Sequence, residues 1–260
     1  MSWSAKQYVT FEEERTRPVR DLLAAMPNIE ARSAVDLGCG PGNSTEVLVA
    51  RFPNAVVRGI DSSSDMIAAA RRRLPLIEFQ VETIEEWAAP GPLDVILANA
   101  VLQWLPDHAA LLPKLCGMLA ERGALAIQMP DNLDTDTHRL MREIAEEGAW
   151  AGKLAAASKE RTPIATAEWY YEVLRSLCGK VDIWRTTYHH ALAGGPGAIV
   201  EWFKGSALRP FLEPLNDAER AEYLERYTAA LARVYRKFSD GSVLLPFPRL
   251  FVVAIRQERV

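Results

Sequence analysis

Short apolar runs alternate with amphipathic segments over the first half of the chain. Runs of roughly four to eight apolar residues are typical of buried strands. The first five such runs lie at residues 33–37, 55–60, 76–81, 93–98 and 123–129. Between them, apolar residues recur three and four positions apart, which predicts helices. These helices cover residues 45–51, about 62–73 and 108–120. Strands that alternate with helices in this way indicate a mostly parallel α/β sheet covered on both faces.

The pattern differs at the start of the chain and after Pro130. Residues 1 to about 30 predict a polar helix with an apolar side, formed by Phe11, Val19, Leu22 and Leu23. After Pro130 the predicted elements are mostly helical. They are helices over residues 135–180, a strand at 181–190, helices from Gly194 to about Lys237 that Pro210 and Pro214 interrupt, and a last strand at 250–255.

These elements suggest a division of the chain into three parts within one domain overall. We expect residues 1–30 to form an N-terminal helical lid and residues 31–134 to form the α/β core. Residues 135–260 contain the remaining core strands, interleaved with the helices of a cap.

Composition narrows the class of protein and its partners. With 260 residues, 49% apolar residues and 25% charged residues, the chain is expected to be an ordinary globular protein of the cytoplasm. A formal net charge of -4 argues against nucleic acid as a partner, because binding phosphates needs a basic surface. We expect no membrane span and no secretory signal, since no apolar run is long enough. The three cysteines show neither metal-ligand spacing nor a disulfide framework. We expect a monomer or a homodimer.

A glycine-rich turn follows the first strand and is the strongest local signal. In Asp36-Leu-Gly-Cys-Gly-Pro-Gly42 the glycines let the backbone turn sharply and approach a ligand closely. Asn43 or Ser44 is a candidate cap for the helix that follows, and Ser62, Ser63 and Ser64 are candidate caps for the next one. About 20 residues after the turn, Asp61 ends the second strand, where an acidic side chain accepts hydrogen bonds from ribose hydroxyls.

Three interpretations of this turn are open. The glycines can serve a tight turn alone, with Asp61 as a helix cap. A dinucleotide site is a second interpretation, but the spacing G-x-G-x-G lacks the third glycine of that motif. The third is S-adenosylmethionine, whose ammonium group needs carboxylate or carbonyl acceptors such as Asp36. Asn99 adds a donor and an acceptor where the fourth strand ends, beside the expected switch point of the sheet. The residues favour the third interpretation.

The same stretches resemble a known family, the class I S-adenosylmethionine-dependent methyltransferases. Residues 36–45 resemble its first motif, Gly59-Ile-Asp-Ser-Ser63 its second, and residues 98–108 the motif after its fourth strand. Other stretches resemble those members that methylate trans-aconitate. They are residues 8–18, 128–132, 181–188, 208–210 and 247–251. The resemblance implies a Rossmann-like sheet, mostly parallel with an antiparallel last strand, together with helical cap elements.

The resemblance also implies the reaction and the residues of the site. Methyl transfer from S-adenosylmethionine to a carboxylate of trans-aconitate gives the monomethyl ester. Either Glu82 or Thr83 faces the adenine amino group, with Thr83 in the aligned position, and Ile84 packs on the ring. The residues expected to bind the cofactor are Asp36, Gly38, Cys39, Gly40, Asn43, Asp61, Ser62, Met66, Thr83, Ile84, Asn99 and Ala100.

The substrate is expected to be a small tricarboxylate held by arginines. A carboxylate is ionised near pH 7, so no general base and no catalytic side chain are predicted, and the protein has only to align the reactants. Arginine binds a carboxylate through two parallel hydrogen bonds. The expected substrate residues are Tyr8, Arg15, Arg17, Gln103, Trp104, Arg209 and Arg249, with Arg185 and Tyr188 as weaker candidates.

Four functional hypotheses follow, and no metal is expected in any of them. The four histidines lack the mutual spacing of a metal site. The first hypothesis is methylation of trans-aconitate, and the second is methylation of another small or carrier-bound carboxylic acid. A dinucleotide-dependent oxidoreductase and a module that binds the cofactor without turnover are the other two.

Overall fold

A seven-stranded sheet forms the centre of the fold. The structure is a computed structural model that describes residues 11–157 and 163–258. The strands are β1 (Ser33–Leu37), β2 (Val56–Asp61), β3 (Glu78–Val81), β4 (Leu93–Asn99), β5 (Leu119–Pro130), β6 (Cys178–Leu192) and β7 (Val243–Arg256). Their order in the sheet is β3-β2-β1-β4-β5-β7-β6. The sheet is mixed and mostly parallel. The antiparallel strand is β7, which is the last strand in the chain, as the sequence predicts.

Helices connect these strands in the described part of the chain. They are α1 (Glu12–Ala25), α2 (Asn43–Arg51), α3 (Ser64–Arg73), α4 (His108–Met118), α5 (Asp136–Ala145), α6 (Ala151–Leu154), α7 (Ala167–Arg175), α8 (Pro196–Lys204), α9 (Arg209–Leu212) and α10 (Asp217–Val234). Short 3₁₀ segments cover Leu102–Trp104 and Gly148–Trp150.

The parallel half of the sheet places the ends of β1, β2 and β4 at one edge. Strand β1 pairs with β2 and with β4, so that Leu37 lies opposite Ile60 on one side and Ala98 on the other. The chain order passes from β1 outward to β2 and β3 and then returns across β1 to β4. This reversal of direction beside β1 is the switch point at which open α/β sheets bind ligands.

The chain forms two compact units. The first contains residues 1–130, 164–186 and 250–260, and the second contains residues 131–163 and 187–249. Strands β6 and β7 therefore continue from one unit into the other. The division into lid, core and cap within one domain stays a prediction.

In the first unit, α1 packs against the sheet through the apolar side that its sequence predicts. Val19, Leu22 and Leu23 are buried, and Phe11 is half-buried. Polar contacts add to this packing, because Asn43 Nδ2 donates to Thr16 Oγ1 at 3.2 Å and Arg73 of α3 pairs with Glu12. Helix α1 is thus attached to both α2 and α3.

In the second unit, α10 packs on α5 and α8 through buried tyrosines. The hydroxyl of Tyr223 donates to the Met141 carbonyl at 2.9 Å, and that of Tyr227 donates to the Thr137 carbonyl at 3.2 Å. A buried hydroxyl without a partner is costly, so these bonds fix how the helices pack. None of the described helices is long and apolar enough to cross a membrane.

Several predicted boundaries differ from the structure. Helix α2 begins at Asn43, and its N-cap is Gly42 at φ 90°, so neither Asn43 nor Ser44 caps it. Ser63 does cap α3. Strand β3 begins only at Glu78, and Leu76 before it is 96% exposed, so burial does not favour extending the strand to that residue. Pro210 lies in the first turn of the short helix α9, which begins at Arg209, and does not interrupt a helix.

Candidate active site

The glycine-rich turn has left-handed backbone at Gly38, Gly40 and Gly42, with φ of 65°, 54° and 90°. A Cβ on Gly38 would lie 2.3 Å from Val101 Cγ2, and one on Gly42 would lie 3.3 Å from Ala70 Cα. A Cβ on Gly40 would have no described heavy atom within 4 Å. Packing therefore requires glycine at position 38, and the left-handed backbone together with a tight neighbour favours it at position 42. Gly40 instead faces open space in which a ligand can approach the backbone.

Asp36 is buried beneath this turn, with 1% of its surface exposed. Its Oδ2 accepts hydrogen bonds from Ser44 Oγ and Thr45 Oγ1, both at 2.7 Å. Its Oδ1 is buried with no hydrogen-bond partner among the described residues. Burial raises the pKa of Asp36 to about 7; the two hydroxyls lower it, and the nearby charge of Asp61 raises it. One oxygen thus orders the first turn of α2, and the other is left to accept a donor.

Asp61 holds the turn from the end of β2. Its Oδ2 accepts from Gly40 N at 2.9 Å, and its Oδ1 accepts from Ser63 N at 2.8 Å. Burial raises the pKa of Asp61, and these two backbone hydrogen bonds lower it. A carboxylate offers about four acceptor sites. Each oxygen of Asp61 therefore retains one site for a further donor.

The end of β4 presents two more acceptors. Asn99 is 7% exposed and Gln103 is 8% exposed, and neither Asn99 Oδ1 nor Gln103 Oε1 has a partner in the described part of the chain. Ala100 adopts a φ of 54°, which is rare for a residue with a Cβ. Its carbonyl accepts from Gln103 Nε2 at 2.7 Å. The amide of Gln103 thus points its nitrogen at the backbone and leaves its oxygen available.

Three other predicted cofactor residues are partly or fully packed into the protein. Ile84 belongs to the main apolar cluster of the first unit, and Cys39 to a smaller one with Ile67, Ala70 and Phe79. Met66 is buried on α3. Thr83 is half-buried and Ser62 is exposed. The side chain of Cys39 therefore fills space behind the turn, and only its backbone lies along the turn.

The predicted substrate arginines differ widely in burial. Arg15 is buried on α1, while Arg17 is 68% exposed and 3.9 Å from Asp21. In the second unit Arg209 pairs with Glu213 at 2.7 Å. Arg249, 4% exposed, lies over the ring of Phe247, with the guanidinium carbon 4.6 Å from the ring centroid.

The two aromatic substrate candidates are less informative. Trp104 is half-buried and closes the 3₁₀ segment. Tyr8 lies outside the described residues.

Several partners of these residues are absent from the sequence prediction. Ser44 and Thr45 donate to Asp36, and the hydroxyl residues directly after the turn are a signal from which this could be predicted. The close approach of Val101 to Gly38 has no such signal. His108 and Tyr170 are joined by a hydrogen bond across 62 positions of sequence, which no local pattern announces.

Together, the residues at the ends of β1, β2 and β4 suit a ligand that is cationic at one end and hydroxylated in its middle. Three buried oxygens, on Asp36, Asn99 and Gln103, have no described partner, can each accept a hydrogen bond and carry no positive charge that would repel an ammonium group. Asp61 has acceptor sites left for hydroxyls. These features fit S-adenosylmethionine. Among the described residues, no group of three or more His, Cys, Asp or Glu is arranged to hold a metal ion.

Comparison with known proteins agrees with this chemistry. Residues 11–192 match the family described as a methyltransferase domain. The chain is 56% identical over 254 residues to a trans-aconitate 2-methyltransferase of Methylobacterium nodulans, covering 98% of both chains. It is 51% identical to one of Rhodopseudomonas palustris, covering 98% of this chain and 99% of the relative. The match to methyltransferases decides against a dinucleotide-dependent oxidoreductase.

Solved structures with low sequence identity share the fold. The YcgJ protein of Bacillus subtilis superposes with a TM-score of 0.59 at 10% identity, over 94% of this chain and all of that one. A phosphoethanolamine N-methyltransferase of Haemonchus contortus superposes with a TM-score of 0.57 at 14% identity, over 94% of this chain and 53% of that one. The full-length relatives and the matched domain lead to one conclusion: the chain belongs to the trans-aconitate 2-methyltransferase family of S-adenosylmethionine-dependent methyltransferases.

Proposed function

We propose that this protein transfers a methyl group from S-adenosylmethionine to a carboxylate of trans-aconitate, giving the monomethyl ester and S-adenosylhomocysteine. The observation that carries the proposal is the group of buried oxygen acceptors on Asp36, Asn99 and Gln103 at the switch point. Relatives that span nearly the whole chain at 50% identity or more support the choice of substrate.

The order of the strands supports one direction for the bound cofactor. Thr83 and Ile84 follow β3, Asp61 ends β2, and Asp36 and Asn99 lie on β1 and β4, the next two strands across the sheet. Adenine therefore lies toward β3, the ribose at Asp61, and the amino-acid end toward β1 and β4. Gly40 lets the backbone come close to the ligand between them.

Gly38, Cys39 and Ala100 contribute backbone to this site, while Asn43, Ser62 and Met66 line the two helix N-termini. Ser62 lies between β2 and the N-cap of α3, and each of the other residues lies in the turn, at the end of β4 or in the first turn of α2 or α3. They complete the proposed cofactor set with the side chains of Asp36, Asp61, Thr83, Ile84 and Asn99.

The chemistry requires alignment and no general base. When bound, S-adenosylmethionine supplies an electrophilic methyl group, and a substrate carboxylate is already ionised near pH 7. The residues of this chain therefore have to orient the acid and exclude water, which can supply on the order of 7–11 kcal/mol of the barrier. The proposed cations for the carboxylates that do not react are Arg15, Arg17, Arg209 and Arg249, and Tyr8, Gln103 and Trp104 are the other proposed substrate residues.

A labelled-methyl assay tests the reaction and its substrate. The purified protein is incubated with methyl-labelled S-adenosylmethionine and a panel of di- and tricarboxylates, and methanol released by mild base reports an ester. We expect the highest kcat/KM with trans-aconitate. Labelled ester with a different acid would replace the substrate and keep the enzyme class. Cofactor binding with no ester from any acid would refute catalysis.

Substitution of a buried arginine tests how the acid is held. Arg249→Gln removes the charge and keeps much of the volume, so we expect the KM for trans-aconitate to rise about tenfold or more, as loss of a charge-assisted hydrogen bond implies. The affinity for S-adenosylhomocysteine should stay unchanged. Arg175→Gln is the matched control, because Arg175 is an exposed residue paired with Glu172 on α7. An unchanged KM in Arg249→Gln would remove Arg249 from the substrate site.

A further inference from the structure

A constrained segment follows β4 and carries part of the proposed cofactor site. It runs from Ala100 to Trp104, with left-handed backbone at Ala100 and a 3₁₀ turn at Leu102–Trp104. Gln103 lies in the middle of that turn, with its amide nitrogen bound to the Ala100 carbonyl and its oxygen buried without a described partner. Left-handed backbone in a residue with a Cβ is unfavourable and persists only where the surroundings enforce it.

A hydrogen bond from His108 holds this segment in place. His108 is the first residue of α4, and its Nε2 lies 2.8 Å from the Leu102 carbonyl oxygen. The same carbonyl accepts the backbone N–H of Leu105 at 2.9 Å. Asp107 caps α4 by accepting from Ala110 N at 3.0 Å, which fixes the backbone from which His108 projects. The imidazole thus joins the start of a helix to the start of the 3₁₀ turn.

Tyr170 in turn holds the imidazole. Its hydroxyl lies 2.7 Å from His108 Nδ1, and its side chain is fully buried in the main apolar cluster. That hydroxyl also lies 3.8 Å from the Met129 sulfur, which is a weak acceptor. The orientation of the imidazole ring therefore depends on Tyr170 of α7, which contacts it directly, and on Met129 of β5, which contacts the Tyr170 hydroxyl.

The hydrogen bonds determine the tautomer of a neutral His108. A carbonyl oxygen only accepts, so Nε2 must carry the proton that it donates to Leu102 O. Nδ1 is then an acceptor, and the Tyr170 hydroxyl donates to it. Without that hydroxyl, Nδ1 would lose its donor, and the ring would be free to turn or to exchange its proton between the two nitrogens.

We propose that His108 and Tyr170 are positioning residues, which hold the Ala100–Trp104 segment in the conformation that binds the amino-acid end of the cofactor. This inference rests on the proposed function, because it uses the proposed direction of the cofactor. Neither side chain belongs to the proposed set of cofactor or substrate residues. The pair acts through the 3₁₀ turn, and its effect is confined to the end of the cofactor that lies beside Asn99 and Gln103.

The affinities for two ligands distinguish this positioning role from a general effect on folding. S-adenosylhomocysteine has the amino-acid end, whereas 5′-methylthioadenosine keeps the adenosine part and lacks that end. In calorimetric titrations of Tyr170→Phe, we expect the Kd of S-adenosylhomocysteine to rise about 3- to 10-fold, the effect of losing one neutral hydrogen bond. The Kd of 5′-methylthioadenosine should change by less than about twofold, since the Asp61 side of the site is untouched.

Matched variants complete the test. Tyr171→Phe removes the hydroxyl of the next residue, which is 47% exposed, and should leave both affinities unchanged. His108→Gln keeps an N–H donor for the Leu102 carbonyl and should retain more affinity for S-adenosylhomocysteine than His108→Ala. If Tyr170→Phe raised the Kd of both ligands equally, or of neither, the positioning role would be overturned. If the unaltered protein fails to bind S-adenosylhomocysteine, the proposed function itself fails.

Discussion

The carboxyl group of Asp36 offers the sharpest test of where the cationic end of the cofactor lies. Burial raises its pKa to about 7 in the ligand-free protein, so the group is only partly ionised near neutral pH. An ammonium next to Oδ1 favours the ionised form. Binding of the cofactor should therefore release a proton from Asp36 wherever that group is protonated beforehand.

The magnitude follows from the ionised fraction. With a pKa of about 7, roughly one carboxyl in eleven is ionised at about pH 6 and three in four at about pH 7.5. If only the ionised form accepts the ammonium, the affinity for S-adenosylhomocysteine rises about eightfold over that interval, or about 1.2 kcal/mol. The interval ends below the usual pKa of an α-amino group, near 8, so the ligand remains mostly charged.

Isothermal titration calorimetry in buffers of different ionisation enthalpy measures both the affinity and the protons released. Asp36→Asn is the matched variant. Its amide oxygen can still accept from Ser44 and Thr45, and its nitrogen replaces Oδ1 with a donor that faces the ammonium. We expect this variant to bind more weakly at neutral pH and to lose the dependence on pH.

5′-Methylthioadenosine, which has no ammonium group, should show no proton release with either protein. A pH-independent affinity for S-adenosylhomocysteine in the unaltered protein would refute the contact between Asp36 and the ammonium. Retention of the same pH dependence by Asp36→Asn would also refute it.

Two further predictions concern stability. In Gly38→Ala the new Cβ meets Val101 at 2.3 Å, so we expect urea unfolding to show a loss of about 2–5 kcal/mol from overpacking and left-handed strain. Gly40→Ala has the left-handed strain without the clash, so its free energy of unfolding should fall by only about 1–2 kcal/mol. It should nevertheless bind S-adenosylhomocysteine more weakly, because its Cβ enters the space proposed for the ligand. Equal stability of the two variants would contradict the difference in packing. The second prediction follows from the raised pKa of Asp36. Between the ordinary value of 3.8 and about 7, the folded state binds more protons than the unfolded state, so this group makes the free energy of unfolding fall as the pH rises. Above about pH 7 the group adds no further change. Relative to Asp36→Asn, the unaltered protein should lose at most about 4 kcal/mol between about pH 4 and pH 8, and a constant difference between the two urea midpoints would count against the buried charge.

Local patterns in the sequence determined most of the parallel half of the fold. The apolar runs at β1, β2 and β4 lie within one residue of the observed strands, because strands covered on both faces are mostly apolar. The turn at Gly38–Gly42 and the acid at Asp61 were also predictable. Left-handed backbone there needs glycine, and a carboxylate at the end of the second strand is placed by chain order alone.

Tertiary structure decided what depends on partners distant in sequence. The insertion of β7 between β5 and β6, and the extension of β7 back to Val243, follow from pairing between strands that local periodicity does not encode. The two carboxylate oxygens of Asp36 differ because of how α2 packs over β1. Oδ2 accepts from Ser44 and Thr45, whereas Oδ1 is buried without a described partner. His108 meets Tyr170 only when α4 and α7 pack together. Sequence thus determines which residues suit a strand, a turn or an acceptor, whereas packing determines which of their atoms remain available to a ligand.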